Sequence, residues 1–207
     1  MEYEVIGSPE PRLLRQIISL HMEALGDSST LTRFGERILA VIYRSLAESR
    51  IGFLVLAREG ERVAGFVFAC TDKDRLLRTV VMHRPAQLIT AAAAALLRDP
   101  RLTWSAIETA LYERRARLPT RAELLVIAVA PEQRSKGIGT RLLDVLRGEL
   151  ARRGIVEYAV TVHRSMEDAN RFYLKNGLRL DRRFRLYGVE WNAYVDTGSP
   201  SRGSRAP

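Results

Sequence analysis

Cysteine is nearly absent from this sequence: Cys70 is the only one in 207 residues, which excludes an intramolecular disulfide framework. It stands in the apolar run 64–70, where a thiol is expected to behave as a small buried hydrophobe without redox or metal role. Histidine is equally sparse, and His21, His83 and His163 lie far apart, so no metal-ligand spacing forms and no metal is expected. The longest apolar stretch, residues 88–97, contains five alanines and a threonine and is about half of what a bilayer span requires. The opening MEYEVIGSPEPR is acidic and lacks a basic segment followed by an apolar one, against a secretory signal. The expectation is a cytoplasmic protein with no membrane partner.

What is present supports a real core. The chain is 46% hydrophobic and 28% charged, which fits one folded domain, placed at residues 1–196. The last stretch, 197–207, is rich in Ser, Gly, Pro and Arg and reads as a disordered basic tail. Lys plus Arg outnumber Asp plus Glu by 33 − 24 = +9. The positive residues are nearly all arginines spread along the chain rather than in a block. They favour anionic ligands in general, polyphosphates and nucleic acid included, without selecting one; a nucleic-acid partner is not expected.

Residues 3–6 read as a short strand, and Ser8-Pro9-Glu10-Pro11 marks the start of a helix on which Leu13, Leu14, Ile17, Ile18, His21 and Leu25 recur at helical spacing up to Gly26. Phe34, Ile38, Val41, Ile42 and Leu46 mark a second amphipathic helix. Residues 51–57 and 62–70 read as a hairpin about the turn 58–61. Residues 72–120 change to alanine- and arginine-rich helical periodicity, broken at Pro85, Asp99-Pro100 and Pro119, and form a helical insertion. Then AELLVIAVA (122–130) reads as a strand buried on both faces, stopped by Pro131. The helix 137–153, with Ile138, Leu142, Leu146 and Leu150 on one stripe, and a strand over 156–162 complete a parallel crossover unit. A helix over 166–175 and a hairpin about Tyr187-Gly188 end the domain.

The segment PEQRSKGIGTRLL (131–143) carries the chemistry. Amides at a helix start lack intrahelical partners and the helix dipole is positive there, so a diphosphate is the natural occupant. Gly137 and Gly139 place no side chain in its way, Arg134 and Lys136 add charge, and Thr140 adds a hydroxyl. The spacing fits neither a P-loop nor a dinucleotide fingerprint. Arg134-Ser135-Lys136-Gly137-Ile138-Gly139 resembles instead the acyl-coenzyme A loop of the GNAT superfamily of N-acetyltransferases. A second segment, Ala169-Asn170-Arg171-Phe172-Tyr173-Leu174-Lys175-Asn176-Gly177-Leu178, looks like that family's late helix and following turn. The two matches agree in order and spacing over roughly the C-terminal third.

The resemblance implies an α/β (α+β) GNAT fold: a mixed sheet of six to seven strands, the central parallel pair splayed, flanked by helices, here with the insertion between the third and fourth strands. It implies acetyl-CoA as co-substrate and acetyl transfer to a primary amine by direct attack, without a covalent intermediate. In its terms the backbone of Ile127, Ala128 and Val129 pairs with the pantetheine arm, and residues Arg134, Ser135, Lys136, Gly137, Ile138, Gly139 and Thr140 hold the diphosphate. Asn170 hydrogen-bonds the arm, Tyr173 protonates the leaving thiolate, and Glu123, 14 residues before Gly137, is the general base. Strand alternation places Glu123 on one face with Leu125, Ile127 and Val129. His163 is a second candidate for substrate binding or proton relay.

The acceptor is expected among Asp27, Ser28, Thr30, Tyr187 and Trp191, with the insertion either covering the cleft or making a homodimer. A small-molecule amine such as an amino sugar is the preferred acceptor. A protein or peptide amine, or a non-catalytic module binding coenzyme A or nucleic acid, are the alternatives.

Overall fold

The computed structural model describes residues 1–26, 32, 35–100, 102–103 and 116–198. The acceptor candidates Asp27, Ser28 and Thr30, the helix residue Phe34, residues 104–115 of the insertion and the tail from 199 lie outside them. A single seven-stranded mixed sheet runs in the order β1-β2-β3-β4-β5-β7-β6. Its strands are β1 Glu2–Ile6, β2 Gly52–Glu59, β3 Arg62–Cys70, β4 Glu123–Val129, β5 Tyr158–His163, β6 Arg179–Leu186 and β7 Val189–Asp196. All neighbours are antiparallel except β4 and β5.

Two helix layers flank the sheet. On one face, α1 (Pro11–Leu25) and α2 (Glu36–Glu48) bury Leu14, Ile17, Leu39, Tyr43 and Leu46 against Leu54, Leu56, Phe66, Phe68, Val126 and Ala128. On the other, α5 (Ile138–Arg152) and α6 (Glu167–Lys175) set Ile138, Leu142, Leu146, Leu150 and Tyr173 on Val55, Val67, Leu124, Val160 and Tyr194. The apolar stripes that mark these helices in the sequence are the faces they bury.

Between β3 and β4 the insertion forms a short 3-10 turn, α3 (Leu76–His83) and α4 (Pro85–Arg98). The chain bends by 94° where Pro85 opens α4, because proline suits a first helical turn and disfavours helix in the residue before it. Ala91 and Ala95 seat α4 against Ile38 of α2 and Leu102. His83, which looks like a loop residue in the sequence, closes α3. Among the described residues no single helix is long and apolar enough to cross a membrane, and only the bent pair passes such a test jointly.

Turns follow local chemistry. Gly60 (φ 59°) makes the β2–β3 turn with Glu61, one residue pair tighter than expected, since Glu59 and Arg62 still pair. Tyr187 and Gly188 both take positive φ in the β6–β7 hairpin, as a two-residue turn matched to strand twist requires.

Candidate active site

The segment after β4 is built to present amides. Pro131 starts a 3-10 turn, Ser135 (φ 62°) and Gly137 (φ 80°) turn left-handed, and α5 begins at Ile138. The amide of Arg141 makes the helix's first bond, to the Gly137 carbonyl at 3.0 Å. The amides of Ile138, Gly139 and Thr140 therefore precede the intrahelical ladder at the positive end of a 15-residue helix. Residues 134–137 and Thr140 are exposed, so the loop opens to solvent and is not covered by the described residues of the insertion. Lys136 donates to the Gln133 side chain at 3.1 Å, and Arg134 Nε donates to the Val129 carbonyl at 3.2 Å.

The two glycines serve different ends. A Cβ on Gly137 would meet nothing within 4 Å; its left-handed backbone is what calls for glycine. A Cβ on Gly139 would come within 3.1 and 3.2 Å of the Phe172 ring. Gly139, expected to clear space for a ligand, also clears space for the packing of α6 on α5.

Beside this loop the sheet opens. β4 and β5 pair only at Glu123↔Ala159 and Leu124↔Val160, and diverge beyond. Ala130 donates its N–H to Ala64 of β3 at 2.9 Å, and in an antiparallel ladder alternate residues bond the same neighbour. Ala128 therefore also turns its main chain to β3, while Ile127 and Val129 turn theirs into the wedge. Of the three strand residues expected to bind a pantetheine arm, two turn their main chain to the gap, where the Val129 carbonyl accepts from Arg134.

On the α5–α6 side of the wedge stands an aromatic and amide cluster. Tyr173, the one buried residue of α6, stacks on Tyr194 with centroids 6.0 Å apart. Burial raises its pKa above the ordinary phenol value, so it stays a proton donor. Asn170 donates to the carbonyls of His163 (3.1 Å) and Met166 (2.7 Å), and its oxygen accepts from Asn192 (2.7 Å) and the Tyr194 hydroxyl (2.8 Å). Its amide thus ties the β5–α6 connection to β7. Asn192 and Tyr194 were missed in the sequence. Their alternation on the last strand, on the face of Asn170, was the available signal.

A bulge divides the remaining candidates between the two faces. The β3–β4 register steps from Phe68↔Val126 to Ala69↔Leu124, leaving Leu125 as the extra residue. Alternation is broken there: Ala122, Leu124, Ile127 and Val129 face α5 and α6, while Leu125, Val126 and Ala128 face α1 and α2. Glu123 therefore shares a face with Leu125 but not, as uninterrupted alternation implied, with Ile127 and Val129. It is 3% exposed at the closed end of the wedge, paired in register with Cys70 and Ala159. Its charge helps to raise the pKa of the buried Cys70 thiol after desolvation.

His163 ends β5 on this same face, since Ala159, two alternations earlier, packs with Leu118, Phe184, Ala193 and Val195 away from α5. Trp191, its register partner on β7, meets it edge-on at 5.6 Å. Phe184 and Tyr187 lie 6.4 and 6.3 Å from the Trp191 ring. His21 is a core residue: it is fully buried, its Nδ1 is 2.7 Å from the Tyr43 hydroxyl, and desolvation lowers its pKa to about 4. Among the described residues no three His, Cys, Asp or Glu side chains converge as a metal site.

A helix N-terminus with exposed amides thus stands beside a splayed parallel strand pair, and comparison with known proteins gives the family of the fold. The acetyltransferase (GNAT) family model matches residues 15–178, and the chain belongs to that family. It is an acetyltransferase with the family's sheet and helix arrangement. Among solved structures it is similar to an aminoglycoside 6'-N-acetyltransferase complexed with coenzyme A (14% identity, 97% of this chain and 98% of that one, TM-score 0.63). It is also similar to the PaiA N-acetyltransferase of Thermoplasma acidophilum in complex with coenzyme A (15%, 95% and 99%, 0.58). A third is an acetyltransferase from Thermus thermophilus (12%, 94% and 96%, 0.57). No curated protein matches the chain in sequence.

Proposed function

We propose that this chain transfers the acetyl group of acetyl-CoA to a primary amine of a small molecule such as an amino sugar, by direct attack. The observation that carries this reading is the junction of an exposed amide cup at residues 134–140 with a wedge that exposes the main chain of Ile127 and Val129. The cup fits a diphosphate, and the wedge fits an extended amide-bearing arm that completes the interrupted ladder. Arg134 would exchange its bond to the Val129 carbonyl for a phosphate oxygen, a charge-assisted contact and so the stronger one. Acetyl-CoA supplies a thioester carbonyl as electrophile.

The roles follow from the two faces. With α5 and α6 closing one side, the amine enters from the other. Its lone pair attacks the carbonyl carbon, an amide of the wedge strand receives the developing oxyanion, and the carbon–sulfur bond breaks. Tyr173 donates its proton to the departing thiolate, and Glu123, on the acceptor's face, takes the proton that the amine loses. Asn170 acts as a positioning residue that fixes α6, and with it Tyr173, against β7. We place the protein in the cytoplasm, where acetyl-CoA is available.

Thiol release from acetyl-CoA with a panel of amines, beside calorimetric titration with coenzyme A, tests this. Turnover with a small amine and coenzyme A binding are expected. Binding without turnover across amino sugars, polyamines and peptides would leave a non-catalytic module, and no binding would remove the acyl-carrier site itself.

A further inference from the structure

α4 carries no charged residue from Pro85 to Leu97, and only one of its sides is packed. Ala91 and Ala95 seat it on Ile38 of α2, with Leu88, Ala92 and Leu96 half-buried beside them. Ala86, Ile89, Ala93 and Leu97 recur at helical spacing on the other side, where Ile89 is 67% and Leu97 86% exposed. A helix apolar all round is ordinarily covered all round. α3 behaves alike: Val80 is buried, while Leu77, Val81 and Met82 are exposed. Both helices rest on α2, and Arg84 fastens their bend to Glu48, at the end of α2, across 2.6 Å. Together they hold five of the eleven large apolar side chains that the described residues expose, so this surface is concentrated and not scattered.

The charge on the same segment is of one sign. Residues 75–98 contain four arginines and no Asp or Glu. Arg75, Arg78 and Arg98 are exposed. Among the described residues no carboxylate pairs with them, the nearby Asp74 being engaged by Lys73 and Arg121. Arg78 lies against the Met82 sulfur, its Nε 3.4 Å from Sδ, so cation and apolar side chain share one patch.

We propose that α3 and α4 form a docking surface for an anionic lipid bilayer. The helices lie in the headgroup plane, their exposed apolar side chains at the acyl boundary and the three arginines on lipid phosphates. Spanning is excluded for α4 by itself: its 14 residues reach about 21 Å against a hydrocarbon core of about 30 Å. The expectation of no membrane partner came from the length of the apolar runs, which bears on spanning and not on surface binding. A second copy of the chain fits the face less well. A twofold contact would set these arginines against their own copies, with no carboxylate in the segment to receive them. Nucleic acid would meet the arginines and leave the apolar side chains in water. The inference is independent of the acetyl-transfer reading.

Co-sedimentation of the full chain with vesicles tests it. Vesicles of phosphatidylcholine and phosphatidylglycerol at about 2:1 should bind the protein and pure phosphatidylcholine far less, and raising NaCl from about 0.05 to about 0.5 M should weaken the binding. Arg75→Gln, Arg78→Gln and Arg98→Gln should each lower the partition coefficient about fivefold. Ile89→Gln combined with Leu97→Gln should lower it about tenfold or more. All five side chains are exposed, so the circular dichroism spectrum should not change. A polarity-sensitive dye gives a readout that needs no loss of binding, because the native Cys70 is buried and stays unlabelled. The dye on Ile89→Cys should shift to the blue on the anionic vesicles. On Val156→Cys, which is exposed and lies outside the insertion, it should not. Equal binding to both vesicle types, arginine variants that bind like wild type, or no shift at Ile89→Cys would overturn the proposal. A dimer in sedimentation equilibrium that the Ile89→Gln and Leu97→Gln pair dissolves, with no vesicle binding, would overturn it as well and give the face to a second copy.

Discussion

Replacing Gly139 by alanine isolates the packing role of that glycine from any role toward a ligand. The new methyl would lie 3.1 and 3.2 Å from Cε2 and Cζ of Phe172, whereas carbon atoms rest at about 3.5–4.0 Å. The ring or the helix must move by roughly half an ångström, and overpacking of this kind costs about 1–3 kcal/mol. For a chain of this size each kcal/mol lowers the melting temperature by about 2–4 °C. Because the Phe172 and Tyr173 rings are in edge contact at 5.3 Å, the displacement should reach Tyr173 and, if that residue is the proton donor proposed above, lower kcat as well. Gly137→Ala meets no atom and should lose about 1–3 kcal/mol through its positive φ alone. A double-mutant cycle by thermal denaturation separates the two. Phe172→Leu should recover part of the Gly139→Ala loss, with a coupling of at least about 0.5 kcal/mol, and none of the Gly137→Ala loss. A Gly139→Ala protein as stable as wild type, or one whose loss adds independently to that of Phe172→Leu, would refute the reasoning.

Tyr173→Phe should lower kcat by about 10²–10⁴-fold, the range of general acid catalysis, while calorimetry shows unchanged coenzyme A affinity. Burial raises the Tyr173 pKa, so its deprotonation should produce no alkaline loss of activity up to pH 10. Hydrogen bonds from Arg152 and then Arg153, against an opposing desolvation, lower the Glu149 carboxyl to about 2. A depressed acid stabilises the fold above its unfolded pKa and loses that contribution as pH falls; Glu149→Gln should therefore flatten the melting temperature between pH 4.5 and about 2, seen by circular dichroism. His21, lowered to about 4 by burial, stabilises the fold in its neutral form above its unfolded pKa and loses that contribution as pH falls from about 6.5 toward about 4. His21→Leu should remove that slope in urea titrations, and an unchanged slope would place the responsible proton elsewhere.

The strand, loop and helix that make the amide cup were legible because each has its own residue signature: a continuous apolar run, a stopping proline, a glycine at a left-handed turn. The β6–β7 hairpin was legible from Tyr187-Gly188 for the same reason. The face of Glu123 was not. A bulge such as the one at Leu125 has no residue signature, and a single extra residue reverses everything beyond it. The purpose of Gly139 was equally hidden, because Phe172 lies on another helix and periodicity describes one element at a time. Asn170 was expected as a site residue, and its bonds to Asn192 and Tyr194 depend on β7 lying next to β5, an order that reverses their sequence with β6.

Because Leu125 turns the wedge strand over, the two substrates need not share a door. On the proposed reading the acyl carrier lies along the α5 side and the amine arrives through the other, so neither would have to wait for its predecessor's remnant to leave. Initial-rate plots should intersect, as they do when both reactants are held at once, and free coenzyme A should compete with acetyl-CoA while leaving the amine's entrance clear.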